Sequence, residues 1–412
     1  MSYIKWSVIT WVYARRSVGK LGKSSAITAR FGLIMVDSGQ IAGQDASQRR
    51  EPEINKFFRA AIKTRASDLH LKAGQPPRLR IQDELRSTTG ETLSEERLEQ
   101  LTFEILTEEQ KHVFQKQGTL DFSYGVTEED RFRVNIFRQR GMVSLVARRV
   151  NTDVPTIEQL NLPIMLKKIA DGNQGLVLIV GPTGCGKTTT AVSMIDYINI
   201  TRSCHIVTIE DPIEYYIKDK KALVSQREVG IDVPDYDLAL TYLMREDPDV
   251  VFIGEMRDAK TVSAGMRASE TGHLVFGTVH ATNAAQAVQR LVDLFPQVER
   301  DLARQTLSVT LRAMVSQILL PSVKQGIDRI PANEILLANS EARKLISEKR
   351  EAEIPNLIRA CVQDGMLDIS DSLVKLIMEG FVEPKEGYKY APNPDELKMA
   401  LKGIRTEKGG IL

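Results

Sequence analysis

The sequence predicts an α/β protein in which a parallel sheet, covered by helices on both faces, follows a smaller α+β domain and precedes a short helical tail. Three observations carry that prediction. A glycine-rich loop, Gly181-Pro182-Thr183-Gly184-Cys185-Gly186-Lys187-Thr188, separates the apolar run Gly175 to Val180 from a helix-like segment. Apolar strands and helical stretches then alternate as far as Val279, the pattern of strand-helix-strand units. Before residue 150 the period is two instead, in short amphipathic strands.

Taken in order, residues 1–50 hold both tryptophans and several scattered basic residues without a sustained period. They read as a poorly ordered extension or as an over-long start with Met35 the true beginning. A signal peptide fits badly, since the apolar part is short and no small-residue cleavage site follows. A membrane-surface anchor built on Trp6, Trp11 and Tyr13 is the other alternative. From 51 to 150, Ile54, Phe57, Phe58 and Ile62 recur at helical spacing. Ser67 to Leu71 and Arg131 to Ile136 then alternate, burying Leu or Phe/Val/Ile and exposing Asp68, His70 and the arginines, so one sheet face is polar and cationic. Residues 151–163, bracketed by Pro155 and Pro163, read as a connector.

Between 164 and 350 the predicted strands are Leu176 to Val180, His205 to Ile209, Val250 to Ile253 and His273 to Val279. Helical spacing is expected at Ala287, Val288, Leu291 and Val292 before Pro296, and at Leu307, Leu311, Met314, Val315 and Ile318. Beyond 351 short helices follow, one carrying Ile369, Leu373, Leu376 and Ile377 and stopped by Gly380.

Composition narrows the function. At 412 residues and 42% hydrophobic the chain buries substantial cores over two or three domains. With 55 basic against 54 acidic residues it has no overall field for nucleic acid, so no direct nucleic-acid partner is expected and a protein partner is favoured. Three scattered cysteines, Cys185, Cys204 and Cys361, exclude a disulfide framework or four-thiolate zinc site and fit a reducing cytoplasm. No apolar run reaches the roughly 18 residues that span a bilayer, so any membrane association is expected through partners.

The glycine-rich loop is a phosphate-binding loop by its context. Its backbone N–H groups turn inward, Lys187 reaches the terminal phosphates and the Thr188 hydroxyl sits on Mg²⁺, which makes ATP and Mg²⁺ the expected cofactors. Phosphoryl transfer also needs carboxylates at strand ends beside that loop. Two strands end in them: His205 to Ile209 before Glu210, Asp211 and Glu214, and Asp249 to Ile253 before Gly254 and Glu255. Because Gly254 occupies the place where an aspartate commonly precedes the glutamate, Glu255 is assigned to polarising water and Glu210 to the metal shell or the same water. His280 and His273 flank the last strand and are read as γ-phosphate sensors. Arg131 and Arg133 share a face, with Arg138, Arg140, Arg148 and Arg149 nearby in sequence; they form a solvated strand face or, Arg133 and Arg148 foremost, reach a nucleotide on another subunit. Cys185 is a small loop filler or, since its place near a helix N-terminus favours thiolate, a thiol whose oxidation would block ATP.

Together, GPTGCGKTT (ending at Thr189), TIEDPIEY, REDPDVVFIGEMRD and TGHLVFGTVHATNAAQAVQRLVDLFP resemble the Walker A, Asp box, Walker B and His box of the secretion ATPase superfamily. The GEMRD wording and the upstream ASDLHLKAGQPPRLRI are most similar to its PilT-like branch, the retraction ATPases of type IV pili. That resemblance implies a PAS-like N-terminal domain, a RecA-like P-loop core and a homohexameric ring with ATP between the core of one chain and the N-domain of its neighbour. It also implies a cytoplasmic motor, peripheral at the inner membrane, acting on a platform protein and in some systems beside a second PilT-like ATPase. Residues 334–346 match the expected AIR-type motif only in part, which keeps a PilU-like accessory protein as an alternative. A type II secretion or pilus assembly ATPase and a conjugation-type ATPase also share the core; the missing zinc cysteines oppose the assembly branch.

Overall fold

The structure is a computed structural model that describes residues 51–81, 84–127 and 130–404. The expectations for residues 1–50 therefore lie outside the described residues.

Two sheets organise the chain. The first is built from α1 (Asn55–Lys63), β1 (Asp68–Lys72), β2 (Arg78–Ile81), β3 (Glu84–Ser87), α2 (Glu95–Phe103), α3 (Glu108–Gln117), β4 (Thr119–Gly125), β5 (Arg131–Gln139) and β6 (Met142–Arg149). Its strands lie antiparallel in the order β3-β2-β1-β6-β5-β4. Alternation sends Phe132, Val134 and Ile136 of β5 to one face, where Phe58 of α1 and Leu98 of α2 close a core. Phe58 meets Phe132 edge to face at 4.9 Å between centroids. The other face aligns Arg80, Asp68, Arg148 and Arg133 in one cross-strand row. Asp68 was expected exposed but is buried, because Arg148 (2.8 Å) and Arg80 (3.6 Å) cover and neutralise its carboxylate.

After the connector come α4 (Met165–Ala170), β7 (Gly175–Val180), α5 (Lys187–Thr201), β8 (His205–Glu210), β9 (Leu223–Glu228), α6 (Tyr236–Leu243), β10 (Val250–Ile253), α7 (Ala259–Glu270), β11 (Leu274–Val279), α8 (Ala284–Asp293), α9 (Arg300–Thr310), β12 (Leu311–Pro321) and β13 (Arg329–Leu337). The sheet order is β13-β12-β7-β11-β10-β8-β9, parallel throughout except for β13. Strands β7, β10 and β11 are buried on both faces, which is why they read as unbroken apolar runs. One core packs α7, α8 and α9 against the sheet, the other α4 and α5, and Ile157 and Leu162 of the connector are buried in the second.

The helical reading of Leu307 to Ile318 is corrected. Helix α9 ends at Thr310 and β12 begins at Leu311. A strand paired on both sides, here by β7 and β13, and covered on both faces needs no alternation, so its apolar residues can mimic a helical stripe. Strands β9 and β13, to which the sequence reading assigned nothing, flank the sheet at its two edges.

After β13 come α10 (Ser340–Ser347) and then the tail helices α11 (Ile354–Ala360), α12 (Ile369–Met378), α13 (Pro384–Tyr390) and α14 (Pro394–Leu401). Helix α12 packs Leu373 and Leu376 on Leu320 and Ile330 and stops before Gly380, whose φ of +72° is a left-handed conformation that suits glycine. The two sheets are joined by a latch. Asn151, just past β6, pairs with Tyr215: its N–H donates to Glu214 O at 3.3 Å and its carbonyl accepts from Tyr216 N–H at 2.8 Å. The Arg131 guanidinium lies over the Tyr216 ring at 5.0 Å. Among the described residues no helix is long and apolar enough to cross a membrane.

Candidate nucleotide-binding site

The loop between β7 and α5 is folded as tightly as its glycines allow. A side chain at Gly181 would begin 2.5 Å from both Gln317 O and Cys185 Sγ, so only glycine fits there. Lys187 bends back over the loop and donates to Gly181 O and Pro182 O, both at 3.0 Å. Burial lowers its ammonium pKa below the ordinary lysine value, against the pull of Cys185, Glu255 and Glu214. Below the loop, buried Gln317 of β12 fixes its shape: Nε2 donates to Cys185 O at 2.5 Å, and Oε1 accepts from Thr190 Oγ1 at 2.8 Å and Asn333 Nδ2 at 3.1 Å.

Parallel pairing brings the carboxyl ends of β8, β10 and β11 beside this loop, where a ligand of an open α/β sheet is expected. Gly254 N–H donates to Ile209 O at 2.8 Å, and Thr278 Oγ1 donates to Gly254 O at 2.5 Å. This close approach accounts for the missing aspartate. A Cβ at Gly254 would lie 3.2 Å from Ile209 O and 3.3 Å from both Glu210 Cα and Tyr236 Oη.

Between loop and strand ends lies a cavity of about 410 Å³. One wall is Thr183, Gly184, Gly186, Lys187, Thr188 and Thr189; the other is Glu210, Asp211, Glu214 and Glu255. Tyr236, Thr278 and His280 line it further and Arg329 reaches it from β13. Glu210 is 1% exposed, and burial pushes its carboxyl up to about 7 despite hydrogen bonds from Thr208 Oγ1 (2.7 Å) and Gln226 Nε2 (3.1 Å). Its second oxygen, Oε2, is buried without a partner. His280 spans the two walls: Nδ1 is 3.4 Å from Thr183 Oγ1 and Nε2 is 3.3 Å from Glu255 Oε1. Burial and Lys187 hold the imidazole below the ordinary histidine value, so it is neutral near pH 7. Arg257 donates to the other oxygen of Glu255 at 2.8 Å.

The fold thus gathers Thr183, Gly184, Gly186, Lys187, Thr188, Thr189, Glu210, Glu255 and His280 around one cavity. Gly181, Pro182 and Cys185 shape the loop without lining it. The expected Cys185 thiolate is corrected, because burial pushes that thiol up, against Lys187. His273 is corrected as well. It sits at the start of β11, about 20 Å of strand away from the loop, with Nδ1 against Ala268 O (2.9 Å) and Thr271 Oγ1 (3.1 Å). Arg148, bound to Asp68, and Arg133 do not line this chain's cavity. Sequence reasoning missed Gln317, Tyr236, Thr278 and Arg329. Only Gln317 left a signal, as an amide inside an apolar run.

A family model described as Type II/IV secretion system protein matches residues 44–365. The chain belongs to that family. Among its relatives, the type IV pilus retractation ATPase PilT of Pseudomonas aeruginosa is 38% identical over 83% of this chain and 99% of its own. The type IV pilus ATPase PilU of the same organism is 35% identical over 85% and 91%. The crystal structure of the pilus retraction motor PilT with bound ADP superposes with a TM-score of 0.76 at 40% identity, covering 83% of this chain and 98% of that one. The ATPase DotB of Legionella pneumophila, at 24% identity and a TM-score of 0.65 over 87% and 98%, shares the fold. The chain therefore has the P-loop ATPase fold of secretion motors, with a parallel-rich core, an α+β region before it and helices after it.

Proposed function

We propose that this chain is the ATP-hydrolysing motor that retracts type IV pili. The observation that carries the reading is near-full-length likeness to PilT, whose solved form holds ADP, together with a cavity that sets Lys187 and Thr188 against Glu255.

In this reading the loop's N–H groups and the positive end of α5 hold the phosphates, and Lys187 leaves its carbonyls for the β- and γ-phosphate oxygens. Glu255 accepts a proton from the attacking water, and His280, bonded to both Glu255 and Thr183, senses the γ-phosphate. Mg²⁺ fits the site: Thr188 and the unpartnered Oε2 of Glu210 offer oxygen, matching an ion that takes one or two protein ligands and otherwise phosphate and water. When bound, it supplies charge neutralisation on the phosphates. Arg133 and Arg148 serve the neighbour's nucleotide, which calls for a homohexameric ring of PAS-like domains (51–150), connectors (151–163), RecA-like cores (164–350) and tails (351–412). The ring works on an inner-membrane platform protein from the cytoplasmic side, in some systems beside a second PilT-like ATPase, without direct contact to nucleic acid.

The likeness to PilU sustains a second reading, a nucleotide-gated accessory protein of low turnover. Two experiments separate them. Robust ATPase activity that is lost in Glu255→Gln supports the motor, and negligible wild-type turnover supports the accessory role. Deleting the gene should leave cells with excess pili; bald cells would instead identify an assembly ATPase.

A further inference from the structure

Tyr236 opens α6 beside the carboxyl ends of β8 and β10, and no motif in the sequence marks it. Its ring is half-buried, but its hydroxyl is fully buried and has no hydrogen-bond partner. Buried phenols are normally bonded, so an uncommitted one in a cavity wall calls for a ligand. The neighbouring polar groups are committed elsewhere: Thr278 Oγ1 to Gly254 O, His280 to Thr183 and Glu255, and Arg257 to Glu255. Two buried oxygens of this cavity remain unpartnered among the described residues, Tyr236 Oη and Glu210 Oε2.

The space where a side chain at Gly254 would begin is 3.3 Å from Tyr236 Oη. Burial and the charges of Asp211, Glu210 and Glu255 keep the phenol protonated, so it is a hydrogen donor. A water molecule can accept that bond and still donate to a carboxylate of the cavity.

We propose that Tyr236 is a positioning residue for the water that attacks ATP: its unpartnered hydroxyl donates to that water over the side-chain-free Gly254. One proton of the water then faces Glu255 and a lone pair is left for phosphorus. This inference rests on the cavity being the ATPase site.

The test uses the full chain and its Tyr236→Phe variant, which loses one oxygen and no packing. Thermal unfolding, binding of fluorescent ADP, binding of ADP with aluminium fluoride, and steady-state hydrolysis are measured for both. The expected result is a kcat about 10- to 100-fold lower with KM, ADP affinity and melting temperature unchanged, and weaker capture of the aluminium fluoride complex, which mimics the hydrated transition state. Gly254→Ala should reduce kcat similarly, and adding it to Tyr236→Phe should cost less than in the wild type, because the hydroxyl it displaces is gone. An unchanged kcat in Tyr236→Phe overturns the inference. So does a parallel fall in ADP affinity and melting temperature, which marks a packing role. Failure of the unmodified chain to bind ADP would overturn the reading of the site itself.

Discussion

Replacing Gln317 with leucine tests whether the phosphate loop is held from below. The amide is 3% exposed and makes three hydrogen bonds, to Cys185 O, Thr190 Oγ1 and Asn333 Nδ2. Leucine fills a similar volume but abandons all three partners in a buried site. Each abandoned buried group costs about 1–3 kcal/mol, and partial relaxation brings the total to about 3–5 kcal/mol. That is a large share of the ~5–15 kcal/mol by which domains are stable. At roughly 2 °C per kcal/mol the thermal midpoint should fall by about 5–10 °C. Freed from Gln317, the Cys185 carbonyl and the turn before Lys187 should also rearrange, weakening fluorescent ADP binding about tenfold. Gln317→Glu is the sharper comparison, since it keeps the acceptor for Thr190 and Asn333 but sets an oxygen against the Cys185 carbonyl. It should impair ADP binding at least as much as leucine does. Unchanged midpoint and ADP affinity in both variants would refute the idea that Gln317 shapes the loop.

Other outcomes follow from the same geometry. Glu255→Gln should lower kcat about 10²- to 10⁴-fold in a steady-state ATPase assay while ADP binding persists. Glu210 has its folded-state pKa raised from 4.5 to about 7, so its contribution to stability is fully present below the unfolded value and is lost as pH rises through about 7. The loss amounts to about 3 kcal/mol, and denaturant titrations of Glu210→Gln between pH 5 and 8 should show a flatter profile than the wild type. Asp68 behaves oppositely. Burial alone would raise its carboxyl, but the Arg148 guanidinium and the Ser67 hydroxyl outweigh burial and hold it below the ordinary aspartate value. Its stabilisation is therefore present above the unfolded pKa and lost as pH falls through the depressed folded one. Asp68→Asn should loosen β1 and β6 by about 2 kcal/mol in hydrogen exchange.

The parallel sheet and the loop were legible because their signals are local. A glycine run between an apolar strand and a helix has few alternatives, and Glu210 and Glu255 announce themselves as charges that end buried strands. Strand β12 was not legible, since its apolar spacing fits a helix until its two neighbours are known. Gln317 disappeared with it. Tyr236 and Arg329 enter the cavity through pairings between segments far apart in sequence, which leave no spacing to read. Asp68 looked like an exposed residue because alternation reports the face and not what covers it. His273 and His280 are equivalent in sequence, and the length of β11 alone assigns them to opposite ends.

The hydrogen-bonded seam from Glu214 through Asn151 to β6 has a mechanical consequence. Glu214 lines the cavity beside the phosphate loop, and the peptide that carries it is clipped to the residue that follows the first sheet. In the proposed motor, a shift at this cavity would reach the arginine-bearing face through that seam. Severing the clip would leave an engine that burns without pulling.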